Sequence, residues 1–205
     1  AETGNIDFNI TVYNAGFYHK ITIYDGNTAV LTTDVFTKTA GQSDAQITLT
    51  DAQRETLLTY MESKKEFSAI ISLATYSDSA CKTQVGTAST KTCSILTSKE
   101  LSAPIFNNFT FEDTNAVTKD LIGQNGVFLQ NYSMLKIECE EAIAQNFAKI
   151  ASYSVSIGNV SVTNTEPSVY VGGVSSVGTL DIVVTCTDSR GYPTVVKKTV
   201  EILKY

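Results

Sequence analysis

Apolar and polar residues alternate one for one in short stretches along the whole chain, and turn residues separate the stretches. Near the C-terminus Leu180, Ile182, Val184 and Cys186 alternate with Asp181, Val183, Thr185 and Thr187. A period of two buries one face of a strand. Asp188-Ser189-Arg190-Gly191 then carries turn chemistry, and a Val/Thr/Ile-rich strand returns over Thr194 to Leu203. A hairpin this long and apolar must pack on another layer. The same reading predicts strands at Ile6–Val12, His19–Tyr24, Ala29–Phe36, Gln46–Leu49, Phe67–Tyr76 and Val85–Leu96 in the first half. In the second half it predicts Ile105–Phe111, Val127–Leu129, Met134–Cys139, Tyr153–Ile157, Val160–Val162 and Val169–Val171.

Two stretches have a helical period. Thr50-Asp51-Ala52-Gln53 reads as a capping box, followed by a Leu57, Leu58, Met61 stripe that ends near Ser63. In the second half Glu140-Glu141 reads as a helix start, with Ile143, Phe147 and Ile150 at i, i+4 and i+7 and alanines beside them. The polar stretch Thr97 to Pro104 is the best boundary, giving domains 1–101 and 102–205. The expected fold is therefore all-β: two tandem immunoglobulin-like β-sandwich domains, each with one short helix. The tryptophan and the Cys…Trp…Cys spacing of antibody domains are missing from the sequence, so the expectation is the architecture and not the antibody family. Ala1-Glu2-Thr3-Gly4 resembles the remnant of a mammalian secretion vector, and residues 1–4 are set aside from fold reasoning.

Composition narrows the function classes. With 42% hydrophobic and 18% charged residues the 205-residue chain can bury a core. A net charge of -6 with scattered lysines disfavours nucleic acid as a partner. No apolar run approaches the roughly 18–20 residues of a helical membrane span, so membrane insertion is not expected.

Candidate chemistry is sparse. The chain has one histidine, His19, read as a surface or edge-strand residue. Nucleophile-elbow, zinc-protease and phosphate-loop signatures do not occur in the sequence. Glu140-Glu141 reads as a solvated pair at a helix start rather than an acid/base pair. Asp188 and Arg190 could form a ligand-contacting loop tip. The favoured alternative is a turn whose Asp accepts from nearby amides and whose Arg clamps a neighbouring strand or carboxylate. The cysteines Cys81, Cys93, Cys139 and Cys186 lack metal-site spacing, so neither a metal nor a cofactor is expected. Cys139 and Cys186 share strand parity with core residues and both point inward. They are read either as two small buried hydrophobes or as a cross-sheet disulfide. Asn9, Asn108, Asn131 and Asn159 open glycosylation triplets, which Thr- and Asn-rich strands also generate by chance.

Three segments carry a family resemblance. They are Asn131-Tyr132-Ser133-Met134-Leu135-Lys136-Ile137, Ala142 to Tyr153, and Thr187-Asp188-Ser189-Arg190-Gly191 with a closing strand ending in Tyr205. Together they resemble a family of siphophage minor structural or tail proteins of unassigned function from phages and prophages of Gram-positive bacteria. The helix from Thr50, the Ala74-Thr75-Tyr76 strand end and Val85-Gly86 extend the resemblance to the first half. It implies tandem sandwich modules in a virion tail tip or baseplate. The role implied is non-enzymatic, in assembly or host-surface attachment, with other virion proteins, a host protein or a cell-surface glycan as partners. The rival expectation is a bacterial cell-surface adhesin module. The ligand-binding residues are not legible in the sequence.

Overall fold

The computed structural model describes residues 2–9, 14–38 and 44–205, and the chain divides into two compact units, Ala1–Leu101 and Ser102–Tyr205. Ile10 and Val12, placed in the first predicted strand, lie outside the described residues.

In unit 1 the strands are β1 (Asn5–Asn9), β2 (Tyr18–Asp25), β3 (Thr28–Thr32), β4 (Asp44–Thr48), β5 (Glu66–Tyr76) and β6 (Ser89–Leu96). They form a four-stranded sheet in the order β3-β2-β5-β6 and a two-stranded sheet β1-β4, all antiparallel. Gly26, at φ +57, supplies the positive φ that the β2–β3 hairpin needs. Helix α1 (Asp51–Tyr60) follows β4 and starts at the expected capping box: the Gln53 amide donates to Thr50 Oγ1 and the Thr50 amide to Gln53 Oε1. Leu57, Leu58 and Met61 are buried as their spacing predicts, and Leu57 and Met61 close over Ile21, Ile23, Phe67 and Ala69. Lys64 reaches Asp25 at 3.0 Å and the Tyr60 hydroxyl at 3.1 Å.

In unit 2 the strands are β7 (Phe109–Asp113), β8 (Val127–Leu129), β9 (Met134–Cys139), β10 (Ile150–Ile157), β11 (Val160–Asn164), β12 (Ser168–Gly172), β13 (Gly178–Asp188) and β14 (Pro193–Leu203). A short helix, α2 (Lys99–Ser102), precedes them, and α3 (Ala116–Ile122) joins β7 to β8. The sheets are β12-β9-β7 and β11-β10-β13-β14-β8, with β8 parallel to β14 and every other pair antiparallel. Two facing sheets of this strand order make an immunoglobulin-like sandwich. The two inner faces meet in a core of Phe109, Leu135, Ile137, Val155, Val171, Ile182, Val184 and Ile202. Alternate residues of β13 are buried as the sequence pattern requires: Ile182, Val184, Cys186 and Asp188.

The units share more than a class. In chain order β1 to β6 pair with one another as β9 to β14 do: the first and fourth strands form one sheet, and the third, second, fifth and sixth form the other. The sequence shows no repeat because the common element is a pattern of pairing, which many residue choices satisfy.

One expected element does not form. Residues 140–149 are an irregular crossover and not a helix, so the helix of unit 2 is α3. Asn146 and Phe147 stand at φ +49 and +65, outside helical geometry. The segment must carry the chain from β9 in one sheet to β10 in the other. It does so by pairing Ile143 with Ile105, amide to carbonyl, at 2.9 Å in both directions. Ile143 and Phe147, placed on a core face by their spacing, are 57% and 47% exposed, and only Ala142 of the segment is buried.

Candidate functional site

The Asp188–Arg190 turn holds a polar network in unit 2, and both charged residues are buried. Asp188 Oδ1 accepts from the Arg190 amide at 3.1 Å and the Tyr192 amide at 2.7 Å, while the Gly191 amide donates to the Asp188 carbonyl at 2.9 Å. Gly191, at φ +84, allows the chain to close this turn. The Arg190 guanidinium is buried and donates to the carbonyls of Gln145 (3.1 Å) and Asn146. Ser189 completes the junction: its amide donates to the Lys149 carbonyl at 2.7 Å, and its hydroxyl accepts from the Lys149 amide at 3.0 Å. The turn is thus a staple that fixes the 140–149 crossover. Of the two sequence readings the bland one describes it, with backbone carbonyls as the partners of Arg190.

Asp113 plays a similar part at the other end of β7. Burial works against its charge. Hydrogen bonds from Ser133 and Thr118, and from the amides of Asn115 and Met134, outweigh that and hold its carboxyl below the usual carboxylate range. The Thr118 hydroxyl donates at 2.6 Å, and the two amides at 3.0 and 3.1 Å. This cluster anchors α3 and the start of β9, and sequence reasoning missed it. The signal was Asp113-Thr114-Asn115, an acid two residues ahead of an N-cap.

The remaining sequence candidates separate. His19 is buried on β2, an interior strand of its sheet, which corrects the surface or edge placement. Its Nδ1 lies 3.1 Å from Thr75 Oγ1, its ring packs against Phe36, and its Nε2 has no hydrogen-bond partner among the described residues. Burial lowers its pKa. Glu140 does not open a helix; it accepts from the Asn108 side chain. Cys139 on β9 and Cys186 on β13 belong to opposite sheets and are free thiols in the structure. Burial pushes each thiol up to about 11, with smaller contributions from Glu138 at Cys139 and from Cys139 at Cys186. Both pack in the core of unit 2. Asn159 accepts from the Ser175 and Ser176 amides, and Asn131 is exposed at φ +63.

A concavity lies in unit 1, with residues of β1 and β6 in its lining. It is an apolar trough of about 770 Å³, floored by Ile21, Ile23, Ile71, Leu73 and Ile95 and rimmed by Asp7 and Lys91. The sequence hides it, because a strand such as Ser89-Thr90-Lys91-Thr92-Cys93-Ser94 reads only as a polar edge. Among the described residues no group of three or more His, Cys, Asp and Glu side chains is arranged to hold a metal ion.

Fold and polar interior together define a tandem immunoglobulin-like module protein in which the buried charged groups of unit 2 hold loops in place. Its family is equally plain: residues 3–205 match the family model described as "Siphovirus protein of unknown function (DUF859)", and the chain belongs to that family. No curated protein matches the chain. Among solved structures it is similar to the fibronectin(III)-like modules of Clostridium thermocellum CbhA, at 15% identity and a TM-score of 0.37, covering 98% of this chain and 87% of that one. It is also similar to an amphioxus IgVJ-C2 molecule, at 9% identity and a TM-score of 0.37, covering 97% of each.

Proposed function

We propose that the chain is a non-enzymatic structural module of the siphovirus particle, located in the tail and serving assembly or host-surface attachment. The observation that carries this reading is the family match, which runs through both units from residue 3 to residue 205. The polar architecture supports it. The charged pair of the 188–190 turn is engaged with backbone groups: Asp188 with amides, Arg190 with carbonyls. Sandwiches of this kind present loops and strand edges, and many copies in one particle turn weak contacts into firm ones. The partner is a neighbouring virion protein, a host surface protein or a cell-surface glycan.

The test is direct. Mass spectrometry of gradient-purified particles should detect the chain, and immunogold labelling should mark the tail. Soluble protein should compete with particles for host cells if attachment is the role, and leave adsorption unchanged if assembly is. Particles that lack the chain would overturn the proposal.

A further inference from the structure

The two cysteines of the unit 2 core stand on interior strands of opposite sheets. Cys139 ends β9, which lies between β7 and β12, and Cys186 is on β13, which lies between β10 and β14. In chain order and pairing, β7, β9 and β12 follow strands A, B and E of an immunoglobulin domain, and β10, β13 and β14 follow strands C, F and G. Cys139 is therefore on the equivalent of strand B and Cys186 on the equivalent of strand F. Antibody domains join those two strands by a disulfide and pack a tryptophan of strand C against it. Strand C here is β10, and its Tyr153 lies opposite Cys186 in the β10–β13 register. An aromatic residue thus holds the place where the sequence shows no tryptophan.

Tyr153 brings both cysteines to one place. It is buried, and a hydrogen bond from the Ala142 backbone, just past Cys139, reaches its hydroxyl. Burial raises the pKa of that hydroxyl first of all, and charge on Cys186 and on Cys139 raises it further. One phenol is neighbour to both thiols, and Cys139 also acts directly on Cys186. The segments that follow the two cysteines meet as well. Arg190, in the turn after Cys186, donates to the Gln145 and Asn146 carbonyls of the crossover after Cys139, and the Ser189 amide donates to the Lys149 carbonyl.

We propose that Cys139 and Cys186 are an oxidation site, closed into a cross-sheet disulfide that locks the 140–149 crossover onto unit 2. The structure shows the reduced form. The oxidant is a small-molecule disulfide. The thiolate of one cysteine attacks it, forms a mixed disulfide and releases one small thiol. The second cysteine then displaces the other, so the S–S bond of the oxidant breaks as the one in the chain forms. The two cysteine protons end on the two released thiols. Burial that pushes both cysteines up to about 11 leaves few thiolates in the native chain, so the reaction waits for unit 2 to open. The bond itself depends on unit 2 alone. The virion reading supplies the occasion: a chain folded with its thiols reduced in the host cytosol and oxidised after release.

The experiment uses the 205-residue protein, unfolded in urea with reductant and refolded in a mixture of reduced and oxidised glutathione. It is then alkylated in denaturant and digested without reductant. Mass spectrometry should find peptides joined through Cys139 and Cys186, with Cys93 alkylated. The bond should raise the melting temperature of unit 2 by about 10 °C or more over the reduced chain. Amide exchange over 140–149 should slow roughly tenfold or more. Cys139→Ala should abolish the joined peptides and both shifts; should that variant not fold, the reduced and oxidised forms of the unaltered chain carry the comparison. The proposal is overturned if both cysteines are alkylated after refolding, or if either is joined to glutathione, Cys81 or Cys93 instead. It is overturned equally if the joined chain melts and exchanges as the reduced one does. Purified particles, alkylated and digested in the same way, separate this inference from the virion reading. Particles without the chain end that reading and leave the bond standing, whereas particles whose chain carries both thiols free overturn the lock.

Discussion

Arg190 ties the 140–149 crossover to unit 2: one buried guanidinium answers two carbonyls on a segment with no regular structure of its own. Arg190→Met keeps the aliphatic stem and leaves the Gln145 and Asn146 carbonyls without that donor. We expect a loss of about 3 kcal/mol, read by urea denaturation. Asp113 has a pH signature. Its carboxyl is held below 3.8, so the unfolded chain binds the proton more readily. Its contribution is complete above that value and is lost as pH falls through the lower, folded-state pKa. Asp113→Asn should lower stability at neutral pH and flatten the acid limb of the pH–stability curve for unit 2. An acid limb unchanged in the variant would show that the charge is not responsible. The cysteines divide by burial. With Cys139 and Cys186 pushed to about 11, the native reduced protein should react with a thiol reagent at Cys93 and not at those two. The cross-sheet disulfide remains a proposal for oxidising conditions, and intact mass without reductant tests it.

The elements differ in how far the sequence shows them. The start of α1 was legible to the residue, because the Thr50–Gln53 capping box is a local device and Leu57, Leu58 and Met61 follow the period of a helix; its end falls at Tyr60, short of the expected Ser63. β9 and β13 were legible because each has one core face. The 140–149 crossover was not. Its apolar spacing imitates a helix, but the Ile105–Ile143 pairing and the Arg190 clamp are contacts with residues about 40 positions away. A contact of that range leaves no periodicity in the segment itself. Phe147 distinguishes the two descriptions. At φ +65 and 47% exposed, Phe147→Gly should be neutral or stabilising by up to about 1 kcal/mol. In a helix the same change would cost about 1 kcal/mol or more. Thermal denaturation of the variant decides between them.

At the scale of the molecule the two units differ in closure. In unit 2, β7 and β8 cover the edges of β9 and β14, and its core joins both sheets. A fragment spanning 102–205 should fold alone and melt cooperatively, at the temperature of the matching transition in the full chain. A fragment spanning 1–101 keeps the trough and should bind an apolar fluorescent dye that the other fragment does not. Equal dye binding by both would show that the added strands do not account for the difference.

The sequence by itself determined the strands with one buried face, the capped helix and the lack of any recognised catalytic motif, since each rests on neighbours within a few residues. Tertiary structure alone decided which edges are covered, that Arg190 faces backbone carbonyls, and that the two halves share one pairing order. Pairing order and edge coverage depend on which distant strand arrives beside which. The alternation of side chains within a strand is the same whether its edge is occupied or open.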